Sequence, residues 1–188
     1  MDLPNGILSP RDSDSSRDVN LALATRRTRR LRLLVLGVGN ILMSDDGVGV
    51  HAVNEYRKKP RAGVLVTEVG TSLLDAVHLL SWADRVVVID ALHAQGAPGT
   101  IYWASFSEIL HRTGCLSLHE LDLSAALEFM PRGARKPEIY VLGIQPSSLE
   151  MSLEMSLPVS AAIPQALVIL DQKLTQWRRE RRLSRPAT

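Results

Sequence analysis

From Leu31 onward the chain alternates between short apolar runs and segments whose apolar residues recur at helical spacing. The runs LRLLVLGV (31–38) and DRVVVIDAL (84–92) are short and nearly continuous, which is typical of strands buried on both faces. Such strands need helices above and below the sheet. The pattern therefore predicts an α/β fold from its first strand.

The rest of the chain continues this alternation. It predicts, in order, a helix over 47–60, a strand over 62–70, a helix over 71–83, a strand over 84–92, a strand near a sheet edge over 96–106, a helix over 117–130, a strand over 136–146 and a long helix over 159–182. Successive strand–helix units predict three layers, with a mainly parallel, twisted sheet flanked by helices. The last helix has one apolar face for docking, formed by Ala162, Ala166, Ile169 or Leu170, Leu174 and Trp177.

Composition limits the domain organisation and the class of partner. The chain has 188 residues, enough for one domain, which we assign to 31–182. Residues 1–30 are polar and aperiodic and are expected to be a disordered extension, with a flexible tail over 183–188. The net charge is only +2, and much of the basic excess lies in Arg26–Arg32 and Arg178–Arg182. The body between these clusters is somewhat acidic, which argues against a nucleic-acid partner.

The expected compartment follows from cysteine usage and from the distribution of apolar residues. Cys115 is the one cysteine, so no intrachain disulfide can form and a reducing compartment is indicated. No apolar stretch approaches the ~18 residues that span a membrane, and the N-terminus lacks a signal-peptide layout. We therefore expect a soluble, cytoplasmic protein without membrane insertion.

The loop after the first strand, GVGNILMSDDGVGVH (37–51), carries two adjacent carboxylates among glycines. Gly37 and Gly39 supply the first half of a dinucleotide-binding fingerprint. The third glycine of that fingerprint is replaced by Leu42, and the carboxylates that follow would repel phosphate. A nucleotide site is therefore the weakest interpretation of this loop.

A second interpretation makes the loop a helix cap. Ser44, Asp45 and Asp46 precede a predicted helix, where an oxygen-bearing side chain can accept hydrogen bonds from free backbone N–H groups. One of the three is predicted to be the cap. Capping needs only one residue, so the second carboxylate is left without a role.

A third interpretation is half of a metal site. Residues that follow parallel strands gather at one edge of the sheet, and Asp90, which ends the strand VVVID, would share that edge with Asp46. His119 lies in the first turn of a predicted helix, where imidazole stays neutral and can bind a metal. Asp90 as a turn cap and His119 as a packed residue remain open, and His93 is a rival ligand three residues after Asp90.

Four motifs resemble, in order and spacing, those of the hydrogenase maturation endopeptidases, which process the large subunit of nickel-iron hydrogenases. They are LVLGVGNILMSDDGVGV (34–50), VVVIDAL (86–92), SLHELDL (117–123) and VLGIQP (141–146). The similarity runs from about Leu33 to Ala166, and Gly70 with Thr71 resembles a further family feature. The resemblance implies that Asp46, Asp90 and His119 form the metal site.

The implied activity is removal of a C-terminal extension from the hydrogenase large-subunit precursor after nickel insertion. The metal would be the precursor's own nickel, and it would polarise the scissile carbonyl or activate water, with Asp46 and Asp90 at the reacting centre. Asp45 would assist as a base. Two other classes remain open, namely a chaperone that binds the precursor without cutting it and a nucleotide-binding regulator.

Overall fold

The computed structural model describes residues 30–59, 61–112 and 118–183. Its five strands form one sheet, in the order β2-β1-β3-β5-β4. The strands are β1 (Leu33–Val38), β2 (Val64–Gly70), β3 (Arg85–Ala91), β4 (Ile101–Ser105) and β5 (Glu138–Ile144). Neighbouring strands are parallel except β4, which pairs antiparallel with β5 at the edge. The predicted mainly parallel sheet and its edge strand are confirmed.

Helices flank this sheet on both sides. They are α1 (Val48–Arg57), α2 (Val77–Trp82), α3 (Phe106–Arg112), α4 (Leu118–Glu128) and α5 (Leu157–Leu183), with 3₁₀ helices at Ser44–Gly47 and Leu73–Ala76. The helix predicted over 71–83 is thus divided into a 3₁₀ and an α segment. Helix α3 was not predicted from the sequence, because seven residues make fewer than two turns and show no clear period.

The apolar residues of the sheet separate into two cores, one on each face. In β1 the side chains alternate, so that Leu33 and Val35 pack with α1 and α5. Leu34 and Leu36 point to the other face and pack with α2, α3 and α4. Every residue of β1 is buried, as the continuous apolar run predicted. The three-layer architecture is therefore confirmed.

Helix α5 docks with the face that the sequence predicted. Ala162, Ala166, Leu170, Leu174 and Trp177 are all buried. Trp177 packs against the ring of Tyr140, with the ring centroids 4.8 Å apart. The helix continues through Leu183, so it includes the first residue assigned to the tail.

A polar contact also joins α5 to α1. The Tyr56 hydroxyl donates a hydrogen bond to Asp171 at 2.6 Å, and the Arg61 guanidinium pairs with the same carboxylate. This guanidinium holds the pKa of Asp171 below its usual range. Within the described parts of the chain, none of the helices combines the length and the apolar character needed to cross a membrane.

Candidate active site

The sheet reverses its strand order at β1, which has β2 on one side and β3 on the other. The carboxyl ends of parallel strands next to such a reversal form a crevice where ligands bind. The loop after β1 and the loop after β3 border that crevice here. This is the edge at which the sequence predicted Asp46 and Asp90 to meet.

Close backbone packing holds the first loop and α1 against the strand ends. A Cβ atom at Gly49 would lie 2.0 Å from the Ile89 carbonyl oxygen and 2.3 Å from that of Val38. Gly39 has φ of 127°, and a Cβ there would lie 1.8 Å from the Asp46 carbonyl oxygen. The glycines of this loop therefore permit close approach of protein backbone to protein backbone.

Asp46 lies in the Ser44–Gly47 3₁₀ helix, which contacts β3. Its Oδ2 accepts a hydrogen bond from the Asn40 N–H at 2.7 Å, which closes the loop on itself. The side chain is half-buried. Asp46 is thus oriented by the loop that precedes it.

Asp45 is fully buried and joins two loops that are far apart in the sequence. Its Oδ2 accepts hydrogen bonds from the N–H groups of Ser147 and Ser148 at 2.8 and 3.0 Å and from the Ser156 hydroxyl at 2.8 Å. Its Oδ1 accepts from the Ser156 N–H at 2.7 Å. Burial raises the pKa of Asp45, but the donors from Ser148, Ser156 and Ser147 outweigh it, so the net pKa lies below the ordinary value.

The predicted helix cap is wrong. No side-chain hydrogen bond caps the 3₁₀ helix at Met43 or α1 at Gly47. Asp45 instead accepts N–H groups from residues 147–156, Asp46 accepts the Asn40 N–H within its own loop, and the Ser44 hydroxyl donates to the Glu154 carbonyl oxygen at 2.9 Å. These oxygens are not available for capping, because the 3₁₀ helix leads directly into α1 and leaves no extended residue at the cap position.

Asp90 lies near the end of β3 and is 6% exposed. Its Oδ1 accepts a hydrogen bond from the Ala91 N–H at 2.8 Å. The side chain lines a small pocket whose other walls are apolar, formed by Leu73, Val88, Leu92, Phe106, Leu123 and Val141. A carboxylate this deeply buried among apolar side chains must be compensated by hydrogen bonds or by a cation.

His119 is the second residue of α4, in the first turn as predicted. Its side chain lies outside the described part of the structure, as does Ser117 of the predicted capping box. Leu123, one helical turn further along α4, lines the pocket of Asp90. The backbone of α4 therefore runs past the crevice.

Gln145, which the sequence analysis did not assign to the site, organises the loop after β3. Its Oε1 accepts hydrogen bonds from the N–H groups of Ala94 and Gly96 at 2.9 and 3.2 Å, which fixes the amide orientation. Its Nε2 then faces His93 Nδ1 at 3.4 Å and must donate. In neutral His93 the proton accordingly resides on Nε2, which disfavours this histidine as a metal ligand.

The position of Gln145 in the sequence could have identified it as a residue of the site. It directly follows β5, whose carboxyl end lies beside that of β3.

Among the side chains that the structure describes, no group of three or more His, Cys, Asp and Glu residues is arranged to hold a metal ion. The predicted triad includes His119 and so stays a prediction.

Comparisons with known proteins point in one direction. The family model described as hydrogenase maturation protease (HycI) matches residues 50–172. The hydrogenase expression/formation protein HupD of Bradyrhizobium diazoefficiens is 34% identical over 152 residues, which are 78% of this chain and 79% of that protein. The hydrogenase 2 maturation protease of Escherichia coli is 32% identical over 144 residues, which are 73% of this chain and 87% of that protein.

Solved structures agree in fold. The hydrogenase maturating endopeptidase HybD from Escherichia coli superposes with a TM-score of 0.70 at 28% identity, covering 78% of this chain and 93% of that one. The [NiFe] hydrogenase maturation protease HybD from Thermococcus kodakarensis superposes with a TM-score of 0.66 at 29% identity, covering 76% and 98%.

Proposed function

This chain belongs to the hydrogenase maturation protease family, and on that premise we propose that it removes the C-terminal extension of a nickel-iron hydrogenase large-subunit precursor after nickel insertion. The substrate is the precursor that carries nickel. Asp46, Asp90 and His119 are the proposed ligands through which the protease binds that nickel. The protein acts in the cytoplasm in this proposal, in keeping with its single cysteine.

The observation that carries the proposal is the meeting of two carboxylate-bearing segments at the strand reversal. The 3₁₀ helix that holds Asp46 contacts β3, the strand that carries Asp90. Both carboxylates belong to the carboxyl edge of the sheet, where a ligand is expected in this class of fold.

His119 completes the proposed set through the geometry of α4. Residues i and i+4 share one face of a helix, so His119 and Leu123 are assigned to the same face. Leu123 lines the pocket that Asp90 also lines. This shared face supports His119 as the third proposed ligand.

Two carboxylates and one imidazole form a weak site for a divalent ion and leave coordination positions open. Weak binding suits a protease that uses metal carried by its substrate, because nickel-free precursor would not complete the site. Bound nickel would supply Lewis-acid chemistry at the scissile carbonyl or a more acidic water. The protein's own contribution is to orient Asp46 through Asn40 and to present Asp90 from a rigid strand.

Asp45 has a different role in this proposal. Its carboxylate already accepts four hydrogen bonds and has no exposed surface, which leaves little room to take a proton from water. We assign it to hold the loop that carries Asp46, as a positioning residue. The expectation that Asp45 acts as a base remains untested.

The test compares purified precursor with and without nickel. Each form is incubated with the protease, and the loss of the C-terminal extension is followed by intact-mass spectrometry. The proposal expects cleavage of the nickel-loaded form alone. Equal cleavage of both forms would remove the nickel requirement, and binding without any cleavage would favour the chaperone alternative.

A further inference from the structure

Two loops beside the crevice are tied into one unit. The N–H of Ser152 donates to the Leu42 carbonyl oxygen at 3.0 Å, and the N–H of Ser44 donates to the Ser152 carbonyl oxygen at 2.8 Å. A parallel β-bridge pairs Met43 with Ser152. Together with the four hydrogen bonds to Asp45, these contacts fix residues 147–156 to the loop that carries Asp46.

This unit exposes an unusual amount of apolar surface. Met151 is 85% exposed and Leu153 is 71% exposed, on either side of the bridged Ser152. We call the full set of exposed large apolar side chains in the two loops the apolar platform, which consists of Ile41, Leu42, Leu149, Met151, Leu153 and Leu157. Several exposed large apolar side chains on two hydrogen-bonded loops favour an interaction site, whereas single exposed residues do not.

The charges of the same loops are all of one sign. Residues 40–47 and 147–157 contain Asp45, Asp46, Glu150 and Glu154 and no Lys or Arg. The Asp45 carboxylate is saturated internally, whereas Glu150 and Glu154 are exposed. The surface therefore complements a peptide that combines apolar side chains with basic ones.

We propose that the apolar platform binds the segment of the hydrogenase large-subunit precursor next to its cleavage site, and that this segment is apolar and basic. The inference rests on the proposed function, because it takes the substrate from there. Asp46 lies on one of the two loops, so a chain bound to the platform leads directly to the proposed ligands. A second copy of this protein is a poorer occupant, because two acidic platforms placed face to face would repel each other.

The platform is tested by a binding measurement that does not depend on cleavage. Nickel-free precursor that retains its C-terminal extension is immobilised, and binding of the protease is measured by biolayer interferometry. We expect the double variant Met151→Gln, Leu153→Gln to bind at least about 10-fold more weakly, because it removes two large apolar side chains whose burial drives association. The matched control is Leu183→Gln, which is also 85% exposed but lies at the other end of α5, about 40 Å along the helix from Leu157.

The charges are tested by a second pair of variants. Glu150→Gln with Glu154→Gln should weaken binding several-fold at low ionic strength and less at high salt, whereas exposed Glu128→Gln should leave binding unchanged. Melting temperatures of all variants should match the wild type, since every substituted side chain is exposed.

The outcomes separate this inference from the proposed function. The platform alone would be overturned if the apolar double variant and the Glu150→Gln, Glu154→Gln variant both bind the precursor with wild-type affinity while the wild type still cleaves nickel-loaded precursor. Platform-dependent binding by a wild type that never cleaves would support the platform and overturn the protease function. The inference would also be overturned if the wild type is a dimer, the variants are monomers, and precursor binding is unchanged. The platform would then be a self-association surface.

Discussion

Replacing Asp45 with Asn isolates the contribution of one buried carboxylate to the loop pair. The side chain keeps its size but loses its charge and one acceptor. The three donors that now meet Oδ2 can be satisfied by the amide oxygen, whereas the Ser156 N–H then faces the amide NH₂ group. One buried donor thus loses its acceptor, and the remaining hydrogen bonds lose their charge assistance.

The expected cost follows from these losses. An unsatisfied buried donor costs about 1–3 kcal/mol, and each charge-assisted hydrogen bond exceeds a neutral one by about 1 kcal/mol. Because the effects of residues in one network do not add fully, we expect Asp45→Asn to lower the free energy of unfolding by about 3 kcal/mol. For a chain of this size, that corresponds to a decrease in Tm of about 6–12 °C.

The assay is urea unfolding by circular dichroism between pH 3 and pH 7, with exposed Asp75→Asn as the matched control. The pKa of Asp45 is depressed in the folded protein. Its contribution is therefore complete above the unfolded-state pKa of about 3.9 and is lost as the pH falls through the lower folded-state pKa. The difference between wild type and Asp45→Asn should shrink below about pH 4.

Two results would refute this reasoning. Equal stability of Asp45→Asn and Asp75→Asn at pH 7 would mean that the hydrogen bonds to Asp45 contribute nothing. A stability difference that stays constant from pH 7 to pH 3 would mean that the charge of the carboxylate is not the cause.

Two further predictions concern the packing around the site. Gly49→Ala should destabilise the protein by about 2 kcal/mol or more, because the added Cβ would lie 2.0 Å from the Ile89 carbonyl oxygen. Thermal unfolding should show a larger loss than for Gly133→Ala, which adds only the backbone strain of its φ of 79° because its Cβ meets nothing within 4 Å. A smaller loss would contradict the close approach. Tyr56→Phe should cost about 1–2 kcal/mol in urea unfolding, because it removes the hydroxyl that donates to Asp171 at 2.6 Å; a loss below about 0.5 kcal/mol would show that Arg61 alone satisfies this carboxylate.

Much of the fold could be predicted from the sequence because its strongest patterns are local. The apolar runs of β1 and β3 and the apolar face of α5 depend on periodicity within one segment. The position of Asp90 at the edge of the sheet also followed, because the carboxyl ends of parallel strands coincide. Helix α3 was missed because seven residues give too few turns to show a period.

The contacts of the first loop could not be predicted in the same way. Asp45 pairs with Ser147, Ser148 and Ser156, more than one hundred residues later in the chain. A capping residue and a long-range anchor have the same local sequence, so the pattern could not separate them. Gln145 was overlooked because a glutamine at the end of a strand has no specific motif, although its position at the sheet edge was informative.

The most direct test of the site is the rate at which Asp90→Asn cleaves nickel-loaded precursor, followed by intact-mass spectrometry. Asparagine keeps the size of the side chain and can keep the hydrogen bond from the Ala91 N–H, and thermal unfolding checks that the variant is folded before its activity is compared. If Asp90 is a ligand of the precursor's nickel, cleavage should fall at least about 100-fold while Asp75→Asn cleaves at the wild-type rate. Wild-type cleavage by folded Asp90→Asn would contradict the assignment of this crevice as the active site.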